Sequence, residues 1–253
     1  MPTNESGLMP KLDFFYGSNE TGLESLCQKV LGCFRLPHQS LICIFDNMER
    51  PEFTRCFGEG CCGFFYPTQF PTSALGFDFR LPSDIIERLR DSQDRTYDIL
   101  IYLTHRVCQS TTGTVITIAH ELQHFMQYGF SYKVYMANDA IRQIRTIKEN
   151  NSLPWGLPAE HEAVLASKKV SEEVLGKDSV LGYAEQQKEA GKHKNDWRES
   201  EKWSFFLASD PQESFDFLEQ TKPLVDQNRK ALVEQFPVCN SEEPDFTKEN
   251  WWE

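Results

Sequence analysis

The residues His120-Glu121-Leu122-Gln123-His124 are the part of this chain whose types and spacing most directly imply chemistry. Residues four apart on an α-helix share a face, with Cβ atoms about 5–6 Å apart, so two imidazoles at this spacing can take adjacent corners of a tetrahedral metal ion. Glu121 lies about 100° around the helix from His120, beside such an ion rather than on it. From there a carboxylate can hold and deprotonate a metal-bound water, whose pKa the ion draws toward ~7. The spacing thus offers two ligands and a general base. A pattern with three fixed positions arises by chance in a chain of this length about once in a hundred, so its surroundings have to support it.

The motif needs a helix, and the neighbouring residues supply one. Val115, Ile118, Ala119, Leu122, Phe125 and Met126 recur at helical spacing, Ser110-Thr111-Thr112 offers an N-cap, and Gly129 stands near the expected end. Just upstream, residues 97–105 carry an apolar run long enough to cross a sheet and too short for a helix, which makes this the strongest strand expectation in the chain. Shorter β-branched or aromatic runs at 12–16, 41–45, 63–66 and 75–80, bounded by Gly, Pro, Asn or Ser, predict further strands, with helices at 20–31 and 83–90. Beyond the motif the pattern predicts helices at 131–149, 158–175, 178–190, 196–208 and 211–235. Pro158 suits a first helical position, Gly176 a stop, and Asp210 a cap before Pro211. A strand-rich N-terminal half, the motif helix and a mainly helical C-terminal half predict an α+β fold. With no repeat and no long linker, residues 1–240 read as a single domain, and residues 241–253, acidic and ending in Trp251-Trp252-Glu253, as a flexible tail.

Composition narrows the options. A chain of 253 residues hides enough surface to fold without a metal or disulfide staple, so a metal here is expected to serve chemistry. The formal net charge of −12 argues against a nucleic-acid partner, whose binding requires Lys and Arg to replace counterions. No apolar run approaches the ~20 residues needed to cross a bilayer. The first residues lack the basic region and apolar core of a signal peptide, so a cytoplasmic location with no membrane partner is expected. The 8 cysteines are irregularly placed and read as mostly buried free thiols. Cys56, Cys61 and Cys62 lack a matching second pair for a structural zinc.

Residues 117–125, Thr-Ile-Ala-His-Glu-Leu-Gln-His-Phe, resemble the active-site helix of zincin metallopeptidases. The resemblance covers about fifteen residues and implies a zincin-like fold, in which the helix lies under a sheet whose edge strand receives a peptide or protein substrate. It also implies one catalytic Zn2+ per chain, bound by His120 and His124, with Glu121 as general base and proton donor. A catalytic zinc takes a third protein ligand and keeps a position for water. Phe125-Met126-Gln127-Tyr128-Gly129-Phe130 contains no histidine, which excludes the branch whose third ligand follows within a few residues. In the glutamate branch, the gluzincins, the ligand comes from a later helix, often as Glu-x-x-Ala. Here Pro158-Ala159-Glu160-His161-Glu162-Ala163 opens a helix whose Glu160 is 36 residues past His124. The apolar stripe through Ala159, Ala163, Ala166, Val170 and Val174 leaves Glu160 and Glu162 on opposite flanks at about 80°, so periodicity does not choose between them. The likeness to Glu-x-x-Ala favours Glu160. His161 points away from the stripe and is expected to be exposed.

Two further readings share this helix. Peptide deformylases pair the same motif with a cysteine from a Glu-Gly-Cys strand, and the chain contains Glu59-Gly60-Cys61, although that family's Gly-rich glutamine motif is absent. A non-catalytic interaction or regulatory protein could also retain the shell of a zincin. For the oxyanion donor that a peptidase requires, Tyr128 is one turn beyond His124 on the same face, with Tyr132, Tyr135, Tyr183 and His105 as alternatives; His38 and His193 are isolated.

Overall fold

The computed structural model describes residues 11–16, 23–36, 40–46, 48–51, 61–67, 83–84, 99–149, 154–239 and 241–253. The expected strand at 75–80, most of the helix at 83–90, His38, Cys56 and the Glu59-Gly60 pair lie outside these residues. The fold is mixed α+β and mostly helical. Packing divides it into two compact units, Met1–Phe70 with Arg80–Ile118, and Pro71–Phe79 with Ala119–Glu253, where the sequence reading treats 1–240 as one domain.

The first unit holds a four-stranded sheet in the order β1-β2-β4-β3, formed by β1 (Lys11–Tyr16), β2 (Ser40–Phe45), β3 (Gly63–Pro67) and β4 (Ile99–Leu103). β1, β2 and β4 run parallel, in registers that pair Leu12 with Leu41 and Leu41 with Ile99. Parallel neighbours need a crossover, and α1 (Leu23–Gly32) lies within the one joining β1 to β2, burying Cys27, Val30 and Leu31. Every residue of β4 is buried, which is why its sequence is a continuous apolar run without alternation. β3 pairs antiparallel with β4 as the outer strand of the described sheet, and Phe64 stacks on its cross-strand partner Tyr102 at 5.1 Å. Gly63 is required there, because a Cβ would come within 2.6 Å of the Tyr102 carbonyl oxygen. Past the end of β2, Asp46 accepts from the Tyr102 hydroxyl and from Arg50, whose other nitrogens reach Asp84 at 2.9 and 2.6 Å. α2 (His105–Cys108) follows β4 directly. The motif helix, α3 (Thr111–Phe130), starts where Ser110 Oγ accepts from the Gly113 amide at 3.2 Å, as the Ser/Thr cluster predicts.

The second unit is helical. It comprises the rest of α3, α4 (Tyr132–Glu149), a 3₁₀ turn (Pro154–Gly156), α5 (Pro158–Leu175), α6 (Lys177–His193), α7 (Trp197–Ala208) and α8 (Phe217–Gln235). Pro158 occupies the first turn of α5, and Gly176, at φ 85°, separates α5 from α6. Asp196 and Asp216 cap α7 and α8, each accepting from backbone amides of the first turn. The expected start of the last helix at 211 is therefore corrected to Phe217: Asp210 instead bonds the Gln212 amide at 2.9 Å and makes a local turn at Pro211. Lys168 of α5 donates to the carbonyls of Phe206, Leu207 and Ser209, satisfying the open end of α7.

Val134, Ala137, Ile141 and Ile144 of α4 share a core with Phe217, Val225 and Leu232 of α8. Phe246 and Trp251 are buried in the same core, and Lys222 sits 5.0 Å over the ring of Trp252. The segment 241–253, expected as a flexible tail, is packed. Its acidic residues set the expectation, but the area its aromatics remove from water offsets the cost of ordering it. Cys27, Cys43 and Cys239 are free thiols, and burial pushes the Cys27 thiol up to about 12. Among the described residues no helix is long and apolar enough to cross a membrane.

The α6–α7 approach gives a direct test of the packing. A Cβ at Gly191 would lie 2.8 Å from the Ser200 amide nitrogen, whereas at Gly182 nothing lies within 4 Å. Gly191→Ala is expected to destabilise the chain by about 1–3 kcal/mol, and Gly182→Ala to stabilise it by about 0.5–1 kcal/mol, both read from denaturant midpoints.

Candidate metal centre

Two helices bring three donor side chains together. His120 and His124 stand one turn apart on α3, and Glu160 sits in the first turn of α5, where the helix dipole favours a carboxylate. Between the two imidazoles Nε2 faces Nε2 at 3.0 Å, and Glu160 Oε2 lies 3.3 Å from His120 Nε2 and 3.6 Å from His124 Nε2. Donors bonded at about 2.0–2.1 Å to a tetrahedral ion stand roughly 3.3 Å from one another. The three separations scatter closely around that edge, so the donor set fits such an ion. His120, His124 and Glu160 form a group that could hold a metal, and among the described residues it includes no cysteine.

The surrounding hydrogen bonds decide between the two glutamates. Glu162 Oε2 accepts from Gln123 Nε2 at 2.9 Å and from Gln127 Nε2 at 2.7 Å, which turns that carboxylate onto the amides of α3. Gln127 Nε2 also donates to the Ala159 carbonyl at 2.9 Å. With its nitrogen engaged by two acceptors, the Gln127 amide must present Oε1 to His124 Nδ1, 2.9 Å away. Nδ1–H therefore donates to Gln127, leaving Nε2 as the donor atom toward Glu160 and His120. Glu162 thus holds the amide that holds His124, while Glu160 is the carboxylate in the donor group.

Burial and charge explain the electrostatics. Burial alone pushes the His124 imidazole down, but the Glu160 carboxylate beside it, aided by Glu121, outweighs this and raises it to about 9. Burial likewise opposes ionisation of Glu160, and the imidazoles, His124 foremost, overcome it and hold the carboxyl well below its usual range. Without metal, the centre is closed by its own ion pair. Glu121 is buried next to these ligands on α3.

Other expected residues fall differently. Tyr128 packs edge-on against Tyr132 at 5.1 Å and Tyr135 at 6.0 Å, and burial pushes its phenol to about 12. Tyr135 is the tyrosine whose ring meets His124, at 6.0 Å, and it lines a cavity with His124 and Glu160. Asp139 and Arg142 line the same cavity; neither was singled out from sequence, although Tyr135, Asp139 and Arg142 form a polar i, i+4, i+7 stripe along α4. Tyr183 packs edge-on against Trp203, and His193 is exposed at the end of α6. His105 lies 2.9 Å from the Gln109 amide nitrogen. His161 stands outside the donor group but is half-covered by Phe205 and Phe215 rather than exposed. Cys61 Sγ is 3.5 Å from the Gly63 carbonyl.

Two outcomes are expected. His120→Ala and Glu160→Ala abolish stoichiometric metal binding, whereas Gln127→Ala and Glu162→Ala weaken it about 10–100-fold, as measured with a competing chelator. The second concerns pH. His124 is raised from 6.5 to about 9, so its contribution to the metal-free fold is complete below pH 6.5 and is lost as pH rises through 9. The contribution of Glu160, whose pKa is lowered from 4.5, is complete above pH 4.5 and lost in acid. The metal-free protein should therefore show its highest thermal midpoint between these limits, and at pH 7 metal binding should release the His124 proton, detectable by calorimetry in buffers of different ionisation enthalpy.

Comparison with protein-family models, with curated proteins and with solved structures found no match for the chain, so the functional reading rests on this geometry.

Proposed function

We propose that the chain is a zinc-dependent hydrolase, a metallopeptidase of the gluzincin type with a zincin-like fold. The observation that carries this reading is the spacing of His120, His124 and Glu160, with Glu121 buried beside them on the same helix. Two imidazole nitrogens and one carboxylate oxygen form a donor set suited to catalytic zinc, in which three protein ligands leave a further position for water or substrate. A mixed sheet whose last strand, β4, comes shortly before the motif helix in the chain supports it.

A zinc ion held by these side chains would supply Lewis acidity, polarising a carbonyl and lowering the pKa of water toward ~7. Glu121 accepts the proton of the attacking water as the new C–O bond forms at the substrate carbonyl. It then delivers that proton to the departing amine as the C–N bond breaks. Its burial keeps the proton from exchanging with bulk solvent between these steps. His124 is fixed by Gln127, and Gln127 by Ala159 and Glu162, so the ligand does not need to reorganise during turnover. Tyr135, whose phenol is held in its neutral form by burial and by the neighbouring Asp139 and Glu160, is better placed than Tyr128 to donate to a developing oxyanion. The substrate is a peptide or protein.

The test is cleavage of a peptide library by the zinc-loaded chain and its Glu121→Gln variant. The variant is expected to retain the metal and lose at least about 100-fold in rate. Undiminished cleavage by the variant overturns the base, and a wild type that binds zinc without cleaving any peptide assigns the centre to a non-catalytic role.

A further inference from the structure

The cavity beside the donor group has chemistry that the hydrolytic step leaves unused. It measures about 20 Å³, and its wall joins His124 and Glu160 to Arg142 and Asp139 of α4. Asp139 is itself oriented, accepting from Gln143 Nε2 at 3.0 Å through Oδ2. Its Oδ1 holds one edge of the guanidinium, at 2.7 Å from Nε and 2.5 Å from Nη2. A guanidinium pinned along that edge presents its Nη1–Nη2 end as a second pair of donors, the fork that matches a carboxylate. Among the described residues Asp139 is the hydrogen-bond partner of the guanidinium, which the Glu160 carboxylate also attracts, and the Arg142 side chain remains 40% exposed. Among the described residues lining this wall Arg142 is the one permanent cation, in a chain with a net charge of −12.

On an open helix face, an Asp-Arg pair three apart would be ordinary surface decoration. Here the pair lines a partly open cavity shared with two of the three donor residues, His124 and Glu160. A group bound by Arg142 in this cavity would lie beside the donor group, since the guanidinium shares the cavity with His124 and Glu160 and feels the Glu160 carboxylate.

We infer that Arg142, positioned by Asp139, anchors a substrate carboxylate beside the metal centre, so that the substrates are peptides with a carboxylate adjoining the cleaved bond. This inference rests on the hydrolase reading. The carboxylate can come from a free C-terminus or from an acidic side chain, and the chemistry at Arg142 is the same for both.

The test separates this subsite from catalysis by using binding. The probes are succinic acid monohydroxamate and its uncharged amide counterpart, titrated into zinc-loaded wild type and Arg142→Gln. In the wild type the acid should bind at least about tenfold more tightly than the amide. In Arg142→Gln that advantage should vanish while zinc content and amide affinity persist, and Arg142→Lys should restore part of it. Equal affinities in the wild type, or an advantage that survives Arg142→Gln, overturn the inference while leaving the metal centre intact. Binding of neither hydroxamate to protein that retains its zinc overturns this inference, whereas failure to load zinc at all removes the metal reading on which it rests. Digestion of matched free-acid and amidated peptides then identifies the source. Cleavage confined to free C-termini indicates the terminal carboxylate, and cleavage of amidated peptides next to Asp or Glu indicates the side chain. Cleavage indifferent to both overturns the proposal.

Discussion

The Glu160 carboxylate, largely buried and held between two imidazoles, is the interaction around which the second unit is arranged. A charged carboxylate away from water is costly unless a partner of opposite charge stands against it. In the metal-free chain the partner is His124, raised to about 9 for that reason. A divalent ion would take the same place and displace the proton. Two elements far apart in sequence must meet for this to occur, and each is fixed independently: α3 by its Ser110 cap, and α5 by Pro158 in its first turn and by Lys168 on the end of α7. The ligand geometry is a consequence of helix starts that are specified locally.

Around the three donors the polar groups form a closed chain of obligations. Gln127 is almost completely buried and serves His124, Ala159 and Glu162 at once, while Gln123 donates to the same Glu162 oxygen. Because each amide nitrogen has its acceptor, the orientation of each side chain is determined, and with it the tautomer of His124. Such a network holds His124 in place without an ion, which is the preorganisation that the proposed zinc centre would need. The free thiols of Cys27 and Cys43, buried with their pKa pushed up, take no part in it.

What could be read from sequence follows the range of the interaction that determines it. The pair His120 and His124 was legible because a spacing of four on a helix is a local property, and the caps at Ser110 and Pro158 located the helices that carry the donors. Periodicity could not choose Glu160 over Glu162, since the two flank the stripe of α5 symmetrically; the likeness to Glu-x-x-Ala favoured Glu160, and the amides of Gln123 and Gln127, across on α3, hold Glu162. The face that α4 presents is set by its packing on α8, through Val134, Ala137, Ile141 and the Asn138–Thr221 hydrogen bond, so Tyr135, Asp139 and Arg142 could not be assigned to the cavity from α4 alone. The same distance effect hid the order of residues 241–253, whose acidic surface residues are adjacent in sequence while the core that receives Phe246 and Trp251 comes from elsewhere.

If His120, His124 and Glu160 hold one zinc ion, the site is made of nitrogen and oxygen donors alone. X-ray absorption spectroscopy at the zinc edge of the stoichiometrically loaded chain reads this directly. The expected result is a four-coordinate centre with two imidazoles, all donors at about 2.0–2.2 Å, and no sulfur. A sulfur scatterer at about 2.3 Å, or a shell without imidazole, would contradict it.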